Sequence, residues 1–215
     1  MSFLMRAPED VASWDWDLEG VVPAGLRPSL ETAAQMANVL ADYDLLEARY
    51  LEWDWFVPEK GSVGVWTRLS LQSEKMDASD LVQRIAQCRP SGFVTAKVSD
   101  ILITGYGTWF DGEGRPHRER GLVELLVTPE ELGPSAQLAV HHDIWGEYDF
   151  RGRPHPEVHR RNAPRLTAAL GALDNLLGVS CEPGPPTYFG SAEGHGVAGP
   201  DLLIDGLALD VTDRL

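Results

Sequence analysis

Residues 63–72 read Val-Gly-Val-Trp-Thr-Arg-Leu-Ser-Leu-Gln and form the clearest strand pattern in the chain. The side chains that recur with a period of two are Val63, Val65, Thr67, Leu69 and Leu71. This period predicts a β-strand, because successive side chains on a strand point to opposite faces of a sheet. Further strand-like runs follow at residues 93–98, 101–110, 122–128 and 137–145.

Helical patterns stand on either side of this run of strands. The first begins at Ser29, its expected N-cap, and continues to about Tyr50. The second covers residues 163–177, with Asn162 as the expected N-cap, and a shorter helix is predicted at residues 78–88. The predicted fold class is α+β, with a largely antiparallel sheet of about five strands and two main flanking helices.

The length of 215 residues favours a single domain. Within it, residues 1–28 are expected to be irregular because they contain three prolines. Residues 181–215 are rich in glycine and proline, and residues 202–211 form a candidate edge strand. The turn sequence Asp-Gly-Glu-Gly at residues 111–114 predicts a hairpin with a long, arginine-rich loop between the strands that flank it.

The formal net charge is −15, from 18 basic and 33 acidic residues, and it is unevenly distributed. Residues 1–60 hold four basic and twelve acidic side chains, a net charge of −8. Residues 166–215 hold one basic and seven acidic side chains, a net charge of −6. Residues 115–165 balance at eight against eight. The acidic ends favour a basic protein partner and disfavour nucleic acid.

Composition excludes several further classes of protein. No apolar run approaches the roughly 20 residues that span a bilayer, and the first residues lack the apolar region of a signal peptide, so we expect a cytoplasmic protein without a membrane partner. Cys88 and Cys181 are far apart in sequence and are expected to be two buried free thiols. No cofactor motif is present: the Gly194–Gly199 match to GxGxxG is followed by a proline and is expected to be a loop.

The neutral middle of the chain contains five of the six histidines. His141, His142 and Asp143 follow a predicted strand, and together with Glu157 they are the candidate catalytic residues. Neighbouring strand residues point to opposite faces, so His141 and His142 are not expected to serve one site. The other interpretation is that these histidines are hydrogen-bonded groups without a catalytic role.

The candidate metal ligands are His155 and His159, which are spaced as neighbours on one face of a helix. The sequence departs from the HExxH pattern, because Pro156 stands in the second position and Glu157 in the third. Pro156 is also expected to start the helical turn, which would leave His155 outside it.

Arginines surround these histidines. Their planar guanidinium groups suit carboxylate or phosphate, so the segment is a candidate anion pocket at the start of the second main helix. The alternative is that these arginines form salt bridges with the acidic residues of the same chain. A small metal- or phosphate-dependent enzyme, a hydrolase or transferase, is therefore the alternative function.

Tryptophan and acid alternate twice in the most acidic part of the chain. Residues 14–17 read Trp-Asp-Trp-Asp, and residues 52–56 read Glu-Trp-Asp-Trp-Phe. Tryptophans anchor many protein interfaces, and carboxylates around them attract a basic partner. The other interpretation is that the rings pack in the core while the acids face water. The candidate partner-binding residues are Trp14, Asp15, Trp16, Asp17, Asp42, Asp44, Trp53, Asp54 and Trp55.

In size, acidity and lack of catalytic signatures the chain resembles the small acidic immunity proteins that bacteria keep beside secreted toxins. This resemblance implies an α+β binding module that neutralises a toxin by covering its basic active site. The expected function is therefore an acidic binding protein of the immunity type.

Overall fold

The structure is a computed structural model that describes residues 4–71, 76, 78–129 and 133–215. Its helices are α1 (Leu26–Asp42), α2 (Ala78–Gln87) and α3 (Pro156–Leu177). The strands of its main sheet are β1 (Ala12–Asp17), β2 (Glu47–Val57), β3 (Gly61–Ser70), β4 (Lys97–Phe110), β5 (Pro116–Arg120), β6 (Glu124–Thr128), β7 (Ser135–Val140) and β8 (Glu182–Pro183). A separate small hairpin consists of β9 (Ala192–Glu193) and β10 (Gly196–Val197).

The main sheet is antiparallel throughout. Seven strands lie in the order β3-β2-β4-β6-β7-β1-β8, and β5 pairs with the far end of β4. This confirms the α+β class and the antiparallel sheet. The described residues contain eight strands in this sheet instead of about five, and three helices, of which the shorter helix α2 adds to the two main ones.

The additional strands come from segments that the sequence assigned otherwise. β1 lies within the segment expected to be irregular, where it pairs with β7 and β8. β2 begins at Glu47, within the stretch to Tyr50 that was expected to continue the first helix. The helix ends at Asp42, and Asp44 follows with a φ of 55°, a left-handed conformation that turns the chain into the sheet. β5 lies inside the predicted arginine-rich loop.

The helix starts also differ from those expected. α1 begins after Gly25, so Ser29 lies within the helix, where its hydroxyl donates to the Gly25 carbonyl oxygen at 2.8 Å. α3 begins at Pro156, and Asn162 is buried in its second turn. The Asn162 side-chain amide exchanges hydrogen bonds of 2.7 and 2.9 Å with the backbone of Phe110, which joins the helix to β4.

Several other elements agree better with the sequence prediction. β3 and α2 lie where they were predicted, and Gly178 ends α3 in the left-handed conformation. Residues 202–211 contain one isolated bridge, between Ile204 and Leu207, instead of an edge strand. No helix in the described part of the chain is long and apolar enough to cross a membrane.

One face of the sheet, here called the inner face, forms the core with the buried sides of all three helices. Leu51 and Trp53 of β2, Ile101 of β4 and Val127 of β6 lie on this face and are almost fully buried. The indole Nε1 of Trp16 on β1 donates to Asp174 of α3 at 2.8 Å, which fixes the helix against the sheet.

Candidate protein-binding face

The opposite side of the sheet, here called the outer face, is defined by the register of the strands. Because side chains alternate and partners in a pair share a face, the pairings trace rows across the sheet. The central row is Asp15, Gln137, Leu126, Leu102, Glu52 and Arg68. At about 4.8 Å per strand this row spans about 24 Å from β1 to β3.

A second row lies beside the first and is more acidic. Asp17 pairs with Ser135, which pairs with Thr128, and the Thr128 hydroxyl donates to Asp100 Oδ1 at 2.7 Å. Asp54 pairs with Trp66 at the other end of this row. The two rows thus bring together carboxylates from three different strands, β1, β2 and β4, that are far apart in sequence.

Burial separates the two faces. On the outer face, Asp15, Glu52, Asp54, Leu102 and Leu126 are half-buried. The residues that flank each of them in the sequence point to the inner face and are almost fully buried. The three helices pack on the inner face, so among the described residues no helix covers the outer one. The outer face is therefore partly accessible, with two half-buried aliphatic side chains at its centre and carboxylates around them.

The polar contacts on this face leave most of the negative charge uncompensated. Asp15 Oδ1 accepts a hydrogen bond of 2.8 Å from Gln137, a neutral partner. The Arg68 guanidinium lies 3.2 Å from Glu52 Oε1 and 4.0 Å from the centre of the Tyr50 ring. Asp54 has no ion-pair partner within the described part of the chain.

Trp66 supplies an exposed aromatic ring on the same face. Of the seven tryptophans, six are at most 5% exposed, whereas Trp66 is 74% exposed. It lies on β3, the edge strand of the sheet, directly beside Asp54. An exposed indole next to uncompensated carboxylates is the combination that suits a protein interface.

The candidate partner-binding tryptophans lie elsewhere. Trp14, Trp16, Trp53 and Trp55 are at most 1% exposed, so their rings belong to the core and not to a contact surface. The physical reason is the strand period: the acids between them point outward, and the rings point inward. The aspartates at positions 15, 17 and 54 do lie on the outer face, and Trp66 is the ring that the sequence did not single out.

Asp42 and Asp44 lie away from the outer-face rows, at the end of α1. Both are exposed, and Asp44 lines a cavity of about 310 Å³ between α1, β2 and β4. Glu47 and Arg118, which form an ion pair, line the same cavity. The opposite charges there compensate each other, which distinguishes this cavity from the outer face.

The candidate catalytic residues do not converge on that cavity. His141 Nε2 lies 3.3 Å from Glu124, whose other oxygen pairs with Arg6 at 2.7 Å. His142 is buried, and this burial lowers its pKa to about 4. Asp143 is buried as well, and burial raises its pKa to about 7 although its Oδ1 accepts a hydrogen bond from the Met5 backbone amide.

The two candidate metal ligands occupy different positions at the start of α3. His155 precedes the helix, as Pro156 predicted, and its Nε2 lies 2.9 Å from the Gly146 carbonyl oxygen. His159 lies in the first turn of the helix. Glu157 is exposed and pairs with Arg160 at 2.6 Å, a contact that lowers the pKa of this carboxyl group.

The arginines of the middle segment are largely engaged within the chain. Arg115 pairs with Asp111 at 2.8 Å, and Arg118 pairs with Glu47. Arg165 donates to the carbonyl oxygens of Thr108 and Tyr43 at 2.8 and 2.6 Å. These contacts join β5 to β2 and α3 to β4, so they favour the structural interpretation of the arginines over an anion pocket.

The two cysteines are both free thiols. Cys88 is exposed, which differs from the expected burial, and Cys181 is half-buried. Burial and the neighbouring Asp174 carboxylate raise the pKa of Cys181 to about 12. This shift favours the protonated form of the Cys181 thiol at neutral pH.

Comparisons with protein-family models, with curated proteins and with solved structures find no match to this chain.

Proposed function

We propose that the protein is an acidic binding module that holds a basic protein partner on the outer face of its sheet. The observation that carries this proposal is Trp66, an indole exposed beside Asp54 on a face rich in carboxylates. Burying an exposed indole at the centre of a contact stabilises many protein complexes, because the ring provides a large, rigid apolar area.

The charge of the face indicates the chemistry of the partner. Asp15, Asp17, Asp54 and Asp100 have no basic partner in the described part of the chain, so a partner with lysines or arginines would meet uncompensated carboxylates. Such complementarity speeds association and sets orientation more than it adds affinity. Leu102 and Leu126 provide the apolar area that the charges alone would lack.

The more specific proposal is an immunity-type protein that covers the basic active site of a toxin. Enzymes that act on nucleic acids or nucleotides have cationic clefts, and an acidic face with an exposed indole is complementary to such a cleft. This role is supported by the charge of the chain and by the outer face, and it requires a cognate toxin as partner.

A bait experiment tests the general proposal. Wild-type chain, the Trp66→Ala variant and the Asp15→Lys/Asp54→Lys variant are immobilised, and extract of the source cells is passed over each. We expect a basic protein that the wild type retains and both variants lose. Its purified form should bind Trp66→Ala at least about 30-fold more weakly, because loss of an interface anchor costs about 2 kcal/mol or more.

Matched controls separate the face from general charge and apolar effects. Leu202→Ala removes another exposed apolar side chain, and Glu31→Lys/Asp213→Lys reverses two exposed charges that are not part of the outer-face rows. Both should retain the captured protein. If the outer-face variants hold every captured protein as firmly as the controls do, the outer face is not the binding site.

Growth assays test the immunity role separately. The captured protein should arrest growth when it is expressed alone, and co-expression with the wild-type chain should restore growth. Co-expression with the Trp66→Ala variant should not. A captured protein that is harmless when expressed alone would contradict the immunity role while leaving the binding module in place.

A further inference from the structure

A cluster of metal-ligating side chains lies on the helical side of the sheet, away from the outer face. Asp174 comes from the last turns of α3, Cys181 from the segment after that helix, and His195 from the turn of the β9–β10 hairpin. Their Oδ, Sγ and ring nitrogen atoms all lie within 4.8 Å of one another. Three different segments of the chain thus bring an oxygen, a sulfur and a nitrogen ligand to one point.

The Asp174 carboxylate is held in place by contacts that leave one oxygen for the cluster. Its Oδ1 accepts hydrogen bonds from Trp16 Nε1 at 2.8 Å and from the Cys181 backbone amide at 2.9 Å. Its Oδ2 faces His195 Nε2 at 2.8 Å. Carboxylates that bind metals are oriented in this way, with hydrogen bonds from the surrounding protein to the carboxylate.

The hairpin turn that carries His195 is fixed from two sides. The Trp14 indole Nε1 donates to the Gly194 carbonyl oxygen at 2.6 Å. The Thr167 hydroxyl donates to the His195 carbonyl oxygen at 2.9 Å. Buried β1 and helix α3 therefore both determine where the imidazole lies, although the hairpin itself is short.

We propose that Asp174, Cys181 and His195 form a binding site for a zinc ion. Thiolate, imidazole and carboxylate are the three ligand types that zinc takes in proteins, and three protein ligands leave the fourth tetrahedral position for water. The side chains of His195 and Asp174 are 35% and 15% exposed, so an ion can reach them from solvent. On binding, the Cys181 thiol loses its proton to solvent and its sulfur bonds to the metal. The neutral His195 imidazole carries its one proton on Nδ1 in the complex, so that Nε2 gives up its hydrogen bond to Asp174 and bonds to the metal.

The present geometry needs only a small adjustment to accept the ion. Zinc–oxygen and zinc–nitrogen bonds of about 2.0–2.1 Å at a tetrahedral angle place the two ligand atoms about 3.3 Å apart. The Asp174 Oδ2 to His195 Nε2 distance is 2.8 Å. The pair must therefore open by about 0.5 Å, which a rotation of the half-exposed imidazole supplies.

Zinc titration of the chelator-stripped full chain tests this site. We expect one zinc per chain, and an increase in the thermal unfolding midpoint when zinc is added, because an ion that binds only the folded state stabilises it. Substituting cobalt(II) should give the near-ultraviolet charge-transfer band of a cobalt–thiolate bond. Loading with zinc should also protect Cys181, but not Cys88, from a thiol reagent.

Two cysteine variants provide the matched comparison. Cys181→Ala should weaken zinc binding by at least about 100-fold and abolish the cobalt–thiolate band, since that loss exceeds what removal of an outer-shell partner costs. Cys88→Ala removes the other free thiol, which is exposed near the end of α2, and should leave both readouts unchanged. His195→Gln is the second ligand variant, because glutamine can keep a hydrogen bond to Asp174 while losing the imidazole.

The outcomes separate a metal site from a hydrogen-bond network. Absence of stoichiometric zinc at micromolar concentrations would overturn the proposal, and so would zinc binding that Cys181→Ala and His195→Gln leave intact. A cobalt complex without the thiolate band would likewise contradict the assigned ligands. None of these results tests binding at the outer face, because Trp66 lies on β3, at the other end of the sheet from this cluster.

Discussion

On β1 and β2, buried tryptophans alternate with aspartates that are exposed or half-buried. The tryptophans reach the inner face and are at most 1% exposed, whereas the aspartates point to the outer face. The two faces thus come from adjacent residues of the same strands. Rings and charges therefore coincide in the sequence because of strand geometry, and not because they belong to one shared site.

The two faces also differ in what they contribute to the protein. The inner face and the helices form the core, which the rings stabilise by apolar burial. The outer face carries carboxylates and one exposed ring, Trp66, and is the proposed contact surface. Substitutions on the two faces should therefore change different measured quantities, and that expectation can be tested.

The largest expected effect is on the inner face. Trp53→Ala removes a fully buried ring and should lower the free energy of unfolding by about 3–5 kcal/mol. Leu126→Ala on the outer face should lower it by less than about 1.5 kcal/mol, because that side chain is only half-buried. Denaturant unfolding of both variants measures the difference. Equal losses would mean that the two faces are buried alike.

The separation of polar and apolar groups breaks down just after β7, where His142 and Asp143 are both buried. Asp143 has a pKa raised from 3.8 to about 7, so between these pH values the unfolded chain is ionised while the folded chain is still protonated. This group therefore makes stability fall as the pH rises from about 4 to 7.

His142 has the opposite effect. Its pKa is lowered from 6.5 to about 4, so the unfolded chain gains a proton first, and stability falls as the pH drops through that range. The two contributions oppose each other over the range in which they overlap. In wild type we therefore expect a shallow pH dependence of stability there from this pair.

Single substitutions should reveal how each of the two residues contributes to the pH dependence of stability. Between about pH 3 and pH 8 the stability of Asp143→Asn relative to wild type should increase by up to about 4 kcal/mol, the equivalent of three pKa units. His142→Gln should instead become less stable relative to wild type as the pH rises from about 4 to about 6.5. The reason is that the stabilising contribution of His142 is lost while the opposing contribution of Asp143 remains. Unfolding free energies across this pH range measure both. Parallel curves for wild type and Asp143→Asn would refute the raised pKa of Asp143.

The sequence predicted those parts of the fold that depend on local patterns. Strand β3, helix α2 and the end of α3 at Gly178 follow from period, helical spacing and the left-handed preference of glycine. The end of α1 depends on distant contacts instead: the Thr108 amide donates to the Asp44 carbonyl oxygen at 2.8 Å, and Arg165 donates to that of Tyr43 at 2.6 Å. A single sequence does not reveal such contacts.

The outer face was predictable only in part, for a related reason. The acids of residues 14–17 and 52–56 were recognisable, but their rows depend on a strand register that brings β1 and β2 onto one sheet. Leu102 and Leu126 join the face through that register alone, and Asp100 is placed beside it by its hydrogen bond with Thr128. Trp66 is exposed because β3 is an edge strand, and the position of a strand in a sheet is not encoded locally.

The smallest expected effect compares two buried rings of the inner face. The Trp16 indole N–H donates to Asp174, whereas the Trp53 indole N–H has no hydrogen-bond partner among the described residues. Changing each to phenylalanine removes similar volume, but Trp16→Phe also takes a donor from a carboxylate and Trp53→Phe removes an unsatisfied polar atom. Trp16→Phe should therefore cost about 1–3 kcal/mol more in unfolding free energy.

Denaturant unfolding of the two phenylalanine variants, measured without added metal, checks this difference. The control is Asp174→Asn, made both in wild type and in Trp16→Phe. Its cost in unfolding free energy should be smaller in Trp16→Phe, because the indole donor to Asp174 is already gone there. If Trp53→Phe proved as destabilising as Trp16→Phe, ring volume alone would determine the cost. The Trp16–Asp174 hydrogen bond would then add nothing to the attachment of α3 to the inner face.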